Sequence, residues 1–295
     1  MKTELIKEED LEKVSPVFKG AFGRKLVRFF MHAVAIDKVN WVYEHSINYS
    51  GAEFSERLLK DVGVDYLIGN AERLQQLPEG AFITISNHPY GGLDGIMLID
   101  LMVGIRQDYK LMVNQFLSLI KTMDANFISV TSKTADSNGF STTSLKGIRE
   151  TLTRLKEGHP VGFFPSGAVS DFNFRNFRIR DREWQESLIR LIQTAKVPVL
   201  PIRFFDQNSP FFYLLGLIHW RVRSLRLPSE VFNKGGQHPH IGIGKLISVE
   251  AQEQFEDPKD FGKFLRNAVY EMPKPTDYLS KEALTALRKD LLKQK

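Results

Sequence analysis

The sequence of 295 residues contains no cysteine. This absence excludes disulfide bonds, a thiol nucleophile, and zinc or iron–sulfur centres bound by cysteine. A long apolar run is also lacking: the most apolar early stretch, residues 26–36, includes Arg28 and His32 and is far shorter than the roughly 20 residues that span a bilayer. Residues 1–9 are rich in charge and lack the apolar core of a signal peptide. We therefore expect no membrane-spanning helix.

The sequence has a formal net charge of +5, which favours anionic partners such as phosphorylated ligands, acidic carrier proteins or anionic lipid head groups. It shows no basic stripe interleaved with aromatic residues and no nucleic-acid-binding module, so no nucleic acid partner is expected. His238 and His240 flank Pro239, but no third ligand accompanies them, and no metal site is expected.

From Val64 onward, strand-like runs alternate with helix-like runs. This alternation predicts an α/β fold with a mostly parallel mixed sheet covered by helices on both faces. Strands are predicted at 65–69, 81–86, 109–114, 126–130, 161–164, 197–204 and 240–248. Helices are predicted at 96–105, 115–123, 142–156, 183–196 and 249–272.

Three parts are predicted along the chain: a helical segment over 1–60, an α/β domain over 61–272 and a helical tail over 273–295. Within the first part, Phe22 and Phe29 share one helical face while Arg28 lies elsewhere. Such a helix either lies on a membrane surface or packs its aromatic residues onto the main domain. The aromatic stretch 210–220 leaves the same choice between core and membrane-facing surface.

A strand-like run ends near His88, and a helix-like run begins after Asp94, where an N-cap is expected. An imidazole suits proton transfer from an alcohol near neutral pH, and a carboxylate one short loop away can orient it. The pair resembles two-thirds of a serine hydrolase triad, with a substrate hydroxyl as the third member. His88 and Asp94 are therefore the candidate catalytic residues.

Three further residues of this loop, Asn87, Gly91 and Gly92, are candidates for substrate binding. A glycine-rich loop at a helix N-terminus offers backbone N–H groups to a phosphate or to a developing oxyanion.

A second block ends another predicted strand on a proline–glycine turn. Because the carboxyl ends of parallel strands meet at one edge of a sheet, this block predicts a wall of the same site. Its candidate substrate-binding residues are Phe164, Pro165, Ser166 and Gly167. Downstream, Arg175 and Arg178 belong either to an anion clamp for phosphopantetheine or a lipid head group, or to a solvated loop.

A third block, residues 197–203, contains Pro198 and Pro201. Proline is unusual in a central strand, so this segment is predicted to be an edge strand, a bulge or a departure from regular pairing.

These blocks, in this order over residues 80–205, resemble the phospholipid and glycerol acyltransferase family, which includes lysophosphatidic acid acyltransferases. Five residues separate His88 from Asp94, one more than in the family motif, and Ser166 stands where the family has glutamate. The sequence of residues 87–95 resembles that of the bacterial hemolysin-like branch, which includes O-acyltransferases of glycine and ornithine lipids.

The resemblance implies a glycerol-phosphate acyltransferase-like fold and transfer of a fatty acyl group to the hydroxyl of a lyso-lipid. The acyl donor would be an acyl carrier protein or coenzyme A thioester, with no cofactor. It also implies a peripheral protein on the cytoplasmic face of the inner membrane. Two alternatives stay open: an ester hydrolase, and a lipid-binding protein whose site has lost catalysis. In the hydrolase, water would replace the acceptor, and no serine nucleophile is expected because no Gly-x-Ser-x-Gly sequence is present.

Overall fold

The computed structural model describes residues 4–14, 20–115, 117, 120–131, 142–175 and 177–293. Its strands are β1 (Leu67–Gly69), β2 (Ile83–Ser86), β3 (Lys110–Asn114), β4 (Phe127–Val130), β5 (Val161–Phe163), β6 (Asp171–Asn173), β7 (Arg178–Arg180), β8 (Val199–Phe204), β9 (His240–Ile243) and β10 (Tyr278–Ser280). Its helices are α1 (Glu8–Val14), α2 (Gly20–Ala33), α3 (Ile36–Ser46), α4 (Gly51–Val62), α5 (Gly92–Val103), α6 (Thr142–Lys156), α7 (Glu186–Ala195), α8 (Pro210–Ile218), α9 (Trp220–Leu225), α10 (Leu227–Phe232), α11 (Val249–Glu253), α12 (Pro258–Tyr270) and α13 (Lys281–Lys293).

Eight strands form a mixed sheet in the order β10-β1-β9-β8-β2-β5-β3-β4. The five strands from β8 to β4 are mutually parallel, whereas β9 runs antiparallel to β8. Strands β6 and β7 form a separate antiparallel hairpin. The carboxyl ends of β2, β5 and β8 therefore meet at one edge. The first two sequence blocks follow the ends of β2 and β5, and the third block forms most of β8 itself.

Both faces of the sheet are covered. Helices α4 and α5 bury Phe54, Leu59 and Met97 in one hydrophobic cluster with β8. Helices α7 and α12 bury Ile192 and Phe261 in a second cluster with β2 and β5. Because strand side chains alternate between faces, the central strands contribute to both clusters. The predicted α/β fold class is thus confirmed.

The strand β8 departs from the prediction of an edge strand. It lies in the middle of the sheet, with β2 on one side and β9 on the other. Pro201 accepts a hydrogen bond from Gly244 N through its carbonyl, and its missing N–H points to that same side. Regular pairing with β9 stops at Ile243 and is followed by a single bridge at Ile247. The proline thus faces irregular pairing, which was one of the three predicted outcomes.

Several element boundaries differ from those predicted. The helix predicted over 249–272 is two helices, α11 and α12, because Asp257 caps a new helix that begins at Pro258. The strand predicted over 240–248 ends at Ile243. In place of the helix predicted over 115–123, Gln115 and Leu117 have 3₁₀ geometry and a 3₁₀ helix covers Lys121–Asn126. Phe116, Ser118 and Leu119 lie outside the description.

The tail predicted to be a helix over 273–295 begins with β10, which pairs with β1. Lys281 Nζ lies 2.6 Å from Asp100 Oδ1 on α5, and Leu284 is buried. The tail is therefore part of the main sheet and its core.

At the other end of the chain, α2 buries Val27 and Met31 and leaves Phe22 and Phe29 exposed. In the part of the chain that the structure describes, no helix is long and apolar enough to cross a membrane.

Candidate active site

His88 lies two residues after the end of β2, and Asp94 lies in the first turn of α5. Gly91, with φ of 82°, turns the chain between them, and α5 begins at Gly92. The sequence predicted that Asp94 is the N-cap of this helix. It is instead the third residue of the helix. This position brings its Oδ2 to 2.9 Å from His88 Nδ1, so the five-residue spacing still closes the pair.

The Asp94 carboxylate is completely buried. Its Oδ2 accepts hydrogen bonds from Tyr90 N at 2.9 Å and Gly91 N at 3.0 Å. Its Oδ1 has no hydrogen-bond partner among the described residues, and His88 Nδ1, although close, lacks the alignment of a hydrogen bond. Burial raises the pKa of Asp94, while His88 and the two N–H groups oppose the rise. Since Nδ1 faces Asp94, Nε2 is the His88 nitrogen left for a substrate.

Asn87 fixes the end of β2 to the end of β8. Its Nδ2 donates to Phe204 O and its Oδ1 accepts from Phe204 N, both at 2.8 Å. Asn208 adds a second link by donating to Pro89 O at 3.1 Å. Asn87, predicted to bind substrate, therefore has both ends of its buried amide engaged by the protein backbone.

The block after β5 packs directly on the histidine. The Phe164 ring stacks on His88 with ring centroids 4.2 Å apart, and Gly167 lies nearby on the same cavity wall. Buried Ser166 turns its Oγ to Ala168 O, 2.7 Å away, and Pro165 accepts from Gln185 N through its carbonyl. Phe164 and Gly167 thus lie beside the pair, whereas the Ser166 hydroxyl closes its own turn.

One buried carboxylate that the sequence analysis did not select, Asp181, organises this edge. Its Oδ1 accepts from His88 N at 3.1 Å and from Ser170 Oγ at 2.6 Å, and its Oδ2 accepts from Trp184 Nε1 at 3.2 Å. Ser170 N also donates to His88 O. The backbone of His88 is therefore fixed on both sides by the segment that follows β5.

A mostly apolar cavity of about 500 Å³ reaches His88. His88, Gly91 and Gly92 line it, so the two predicted glycines do lie at the site. The rest of its wall comes mainly from apolar side chains of α3, α4, α5, α10, β3 and β4, including Phe54, Ile96, Leu111, Phe127 and Val231. A cavity of this size and character suits a hydrocarbon chain.

A second, polar cleft of about 450 Å³ is lined by Asn87 and Pro89 and by Arg178, Arg180 and Arg203. Burial and the neighbouring Arg180 lower the pKa of Arg203. The two predicted clamp residues separate here, since Arg178 lines this cleft.

Arg175 instead lies exposed in the turn of the β6–β7 hairpin. Across the described ranges, no group of three His, Cys, Asp or Glu side chains could hold a metal ion.

The fold and site define an α/β protein with a histidine–aspartate pair at the carboxyl edge of its sheet and an apolar cavity lined in part by the histidine. Its sequence matches a family model described as "Acyltransferase" over residues 11–278. The chain therefore belongs to this acyltransferase family, which confirms the family resemblance of the three sequence blocks.

Two curated relatives share the description lyso-glycine lipid O-acyltransferase. The protein from Bacteroides thetaiotaomicron is 24% identical over 255 residues, covering 84% of this chain and 89% of that protein. The protein from Phocaeicola vulgatus is 25% identical over 277 residues, covering 89% and 94%. Among solved structures, the 1-acyl-sn-glycerophosphate (LPA) acyltransferase PlsC from Thermotoga maritima matches with a TM-score of 0.44 and 15% identity, covering 88% of this chain and 92% of that chain.

Proposed function

We propose that this protein is an O-acyltransferase of membrane lipid synthesis that moves a fatty acyl group from a thioester to the hydroxyl of a lyso-lipid. The observation that carries the proposal is the His88–Asp94 pair, with its 2.9 Å separation, whose histidine lines the apolar cavity. In this position a base, an acyl chain and an acceptor hydroxyl can meet.

In the proposed reaction, His88 Nε2 takes the proton of the acceptor hydroxyl as its oxygen attacks the thioester carbonyl. The tetrahedral intermediate collapses, the carbon–sulfur bond breaks, and the leaving thiolate receives the proton from His88. The products are an ester and a free thiol. Asp94 keeps Nδ1 facing its carboxylate and stabilises the transient imidazolium.

The oxyanion needs backbone donors, and those of Tyr90 and Gly91 already bind Asp94. We assign the role to Gly92 and Leu93, whose N–H groups lie in the first turn of α5 and whose residues line the cavity. The positive end of the helix dipole favours negative charge there.

We propose an amino-acid lyso-lipid as the acceptor, because both curated relatives are described as acting on lyso-glycine lipid. A glycine head group ends in a carboxylate, and the three arginines of the polar cleft would bind an anionic substrate group. Arg178→Gln should then raise KM for the amino-acid lyso-lipid acceptor. For a water-soluble acceptor, Arg175→Gln, a matched change in the exposed hairpin turn, should leave KM unchanged, and equal KM values for both variants would remove Arg178 from this role.

The donor is proposed to be an acyl carrier protein or coenzyme A thioester. Since both the donor chain and the acceptor are lipidic, we propose a peripheral location on the cytoplasmic face of the inner membrane.

The central test is acyl transfer by His88→Ala in purified enzyme and in the lipid profile of cells. Loss of a positioned base should lower the rate by about 10²- to 10⁴-fold, and the mono-acyl acceptor should accumulate. His159→Ala is a matched control, because His159 lies outside this site, with its Nδ1 hydrogen-bonded to Asp108 at 2.7 Å. Wild-type transfer by His88→Ala would refute the mechanism.

Thioester hydrolysis without an acceptor tests the hydrolase alternative. In that reaction water would replace the acceptor hydroxyl, and the Ser166 hydroxyl, which donates to Ala168 O, is not expected to act as a nucleophile. Hydrolysis as fast as transfer would favour a hydrolase all the same. A lipid-binding protein without catalysis would show neither reaction.

A further inference from the structure

Large apolar side chains are exposed together on two neighbouring segments, the β6–β7 hairpin and the α8–α9 pair. Together we call them the aromatic face. Its exposed members are Phe174, Phe177, Phe211, Leu214, Leu217, Ile218, Trp220, Val222 and Leu225. Scattered exposed apolar residues are normal on a soluble protein, but a contiguous group marks an interaction surface.

The two segments form one surface because Arg223 joins them. This buried arginine binds Asp171 at the start of β6 and donates to Ser170 O at 3.2 Å. Helix α8 also packs against β6. The apolar side chains are thus displayed by a fixed scaffold, and Arg223 is neutralised within it.

The charge around this face is mostly positive, and Asp171, the acidic residue of its hairpin, is paired with Arg223 and Arg182. Residues 172–180 and 209–229 contain six arginines and no aspartate or glutamate. Arg175, Arg178 and Arg221 are exposed, and the Arg221 guanidinium lies over the Trp220 ring at 5.3 Å. Aromatic side chains bordered by arginines match the interface of an anionic bilayer, where apolar groups insert and cations contact head groups.

The face is continuous with the apolar cavity. Ser224, Leu227 and Pro228, at the end of α9 and the start of α10, line the same cavity as His88. A lipid that leaves a bilayer at this face would therefore reach the cavity without crossing bulk water.

We propose that the aromatic face is where the enzyme docks on an anionic lipid bilayer, with Ile218 and Trp220 inserted among the lipids. This rests on the proposed function, since a lipid acceptor has to be drawn from a membrane. It goes further by assigning docking to α8, α9 and the hairpin. The rival surface is α2 with α3, where Phe22 and Phe29 are 81% and 71% exposed.

Two tryptophans make a matched pair for testing the proposal. Trp220 on α9 is 55% exposed and Trp41 on α3 is 49% exposed, whereas Trp184 is buried. Trp41→Phe leaves Trp220 as the exposed reporter, Trp220→Phe leaves Trp41, and both variants keep Trp184. Fluorescence is measured with vesicles of brominated phosphatidylglycerol, which quench tryptophans that enter the bilayer.

We expect strong quenching in Trp41→Phe and weak quenching in Trp220→Phe. Equal quenching, or stronger quenching in Trp220→Phe, would overturn the proposal, as would absence of vesicle binding. Self-association that shields Trp220 without lipid would also overturn it, since the face would then bind a second copy. Vesicles of phosphatidylcholine, or high salt, should weaken binding because arginine–phosphate attraction is screened.

The variant Ile218→Ser/Trp220→Ser measures the energetic role of the face. Vesicle affinity should fall by about ten- to a hundredfold, given the apolar area removed. Leu145→Ser, which changes an exposed leucine on α6, is the control and should bind as wild type does. Activity on a short-chain, water-soluble acceptor should be unchanged in both variants, which shows that they are folded.

Failure of docking and failure of the proposed function give different results. Unchanged vesicle affinity in the double serine variant overturns docking alone, because soluble-acceptor activity does not depend on it. His88→Ala should bind vesicles normally and lack transfer. If it transferred normally, the proposed function would fail while the docking result stood.

Discussion

Asp94 and Asp181 are both buried carboxylates that hold the loop carrying His88, and they differ in what they contact. Asp94 lies 2.9 Å from the imidazole Nδ1 and leaves its Oδ1 without a hydrogen-bond partner among the described residues. Asp181 contacts the His88 backbone and has both oxygens engaged by N–H or O–H donors.

The difference separates an electrostatic role from a positioning role. Asp94 directs its Oδ2 at the imidazole, while burial and the unmatched Oδ1 destabilise its charged form. A carboxylate that accepts three hydrogen bonds is stabilised in place and fixes geometry. Substitutions at the two positions should therefore affect rate and stability in different proportions.

Asp94→Asn should have the largest effect on rate, about 10²- to 10⁴-fold in kcat. The amide oxygen can still accept from Tyr90 and Gly91, so the loop keeps its hydrogen bonds while the imidazolium loses its counter-charge. The control is Asp100→Asn, which alters another buried aspartate of α5, paired with Lys281. Asp100→Asn should leave kcat per folded molecule unchanged, and a similar loss in both variants would contradict an electrostatic role for Asp94.

Asp181→Asn should lower stability more than it lowers the rate, the opposite of Asp94→Asn. An amide cannot accept from His88, Ser170 and Trp184 together, because its NH₂ group opposes another donor. We expect about 1–3 kcal/mol lower stability in urea denaturation and only about a tenfold fall in kcat, from a misplaced His88 backbone. The pH profile of kcat should keep its wild-type shape, whereas that of Asp94→Asn should not. An altered profile in Asp181→Asn would show that Asp181 acts on the ring.

The contrast also shows how far the sequence could predict this site. Asp94 follows His88 within one short loop, so helix-start and strand-end signals are enough to pair them. Only its place in the helix was wrong, since Gly91 ends the turn earlier than an aspartate N-cap would suggest. Asp181 is 93 residues from His88, and no local pattern links them.

The sheet was predictable because apolar strands bounded by proline and glycine carry a strong signal. The position of β8 was not, because a proline is tolerated in a central strand wherever its missing N–H meets irregular pairing. The exposure of α8 and α9 was left open for a different reason: hydropathy records that residues are apolar without showing whether anything covers them.

The buried charge of Asp94 should also make stability depend on pH, with a smaller effect than the substitutions above. The native pKa of Asp94 is raised by burial, so its contribution to stability is full below the unfolded value of about 3.9 and is lost as pH rises through the native value. Asp94→Asn lacks this group. The unfolding free energy of wild type relative to Asp94→Asn should therefore increase as pH falls from 7 toward about 4. Paired urea denaturation at several pH values measures it, and a decrease would mean that the native pKa is depressed.

Ser166→Ala should have the smallest effect and tests whether the loop after β5 contributes shape or chemistry. The Ser166 hydroxyl donates to Ala168 O inside its own turn, and the ring that meets His88 belongs to Phe164. Loss of one such hydrogen bond should reduce stability by about 1 kcal/mol and leave kcat within about twofold. Phe164→Leu is the paired change, since it removes the stacked ring and should lower kcat more. If Ser166→Ala lowered kcat more than Phe164→Leu, the serine at the position of the family's glutamate would have to contact substrate. The site would then depend on a third polar group besides Asp94, with its electrostatic role, and Asp181, with its positioning role.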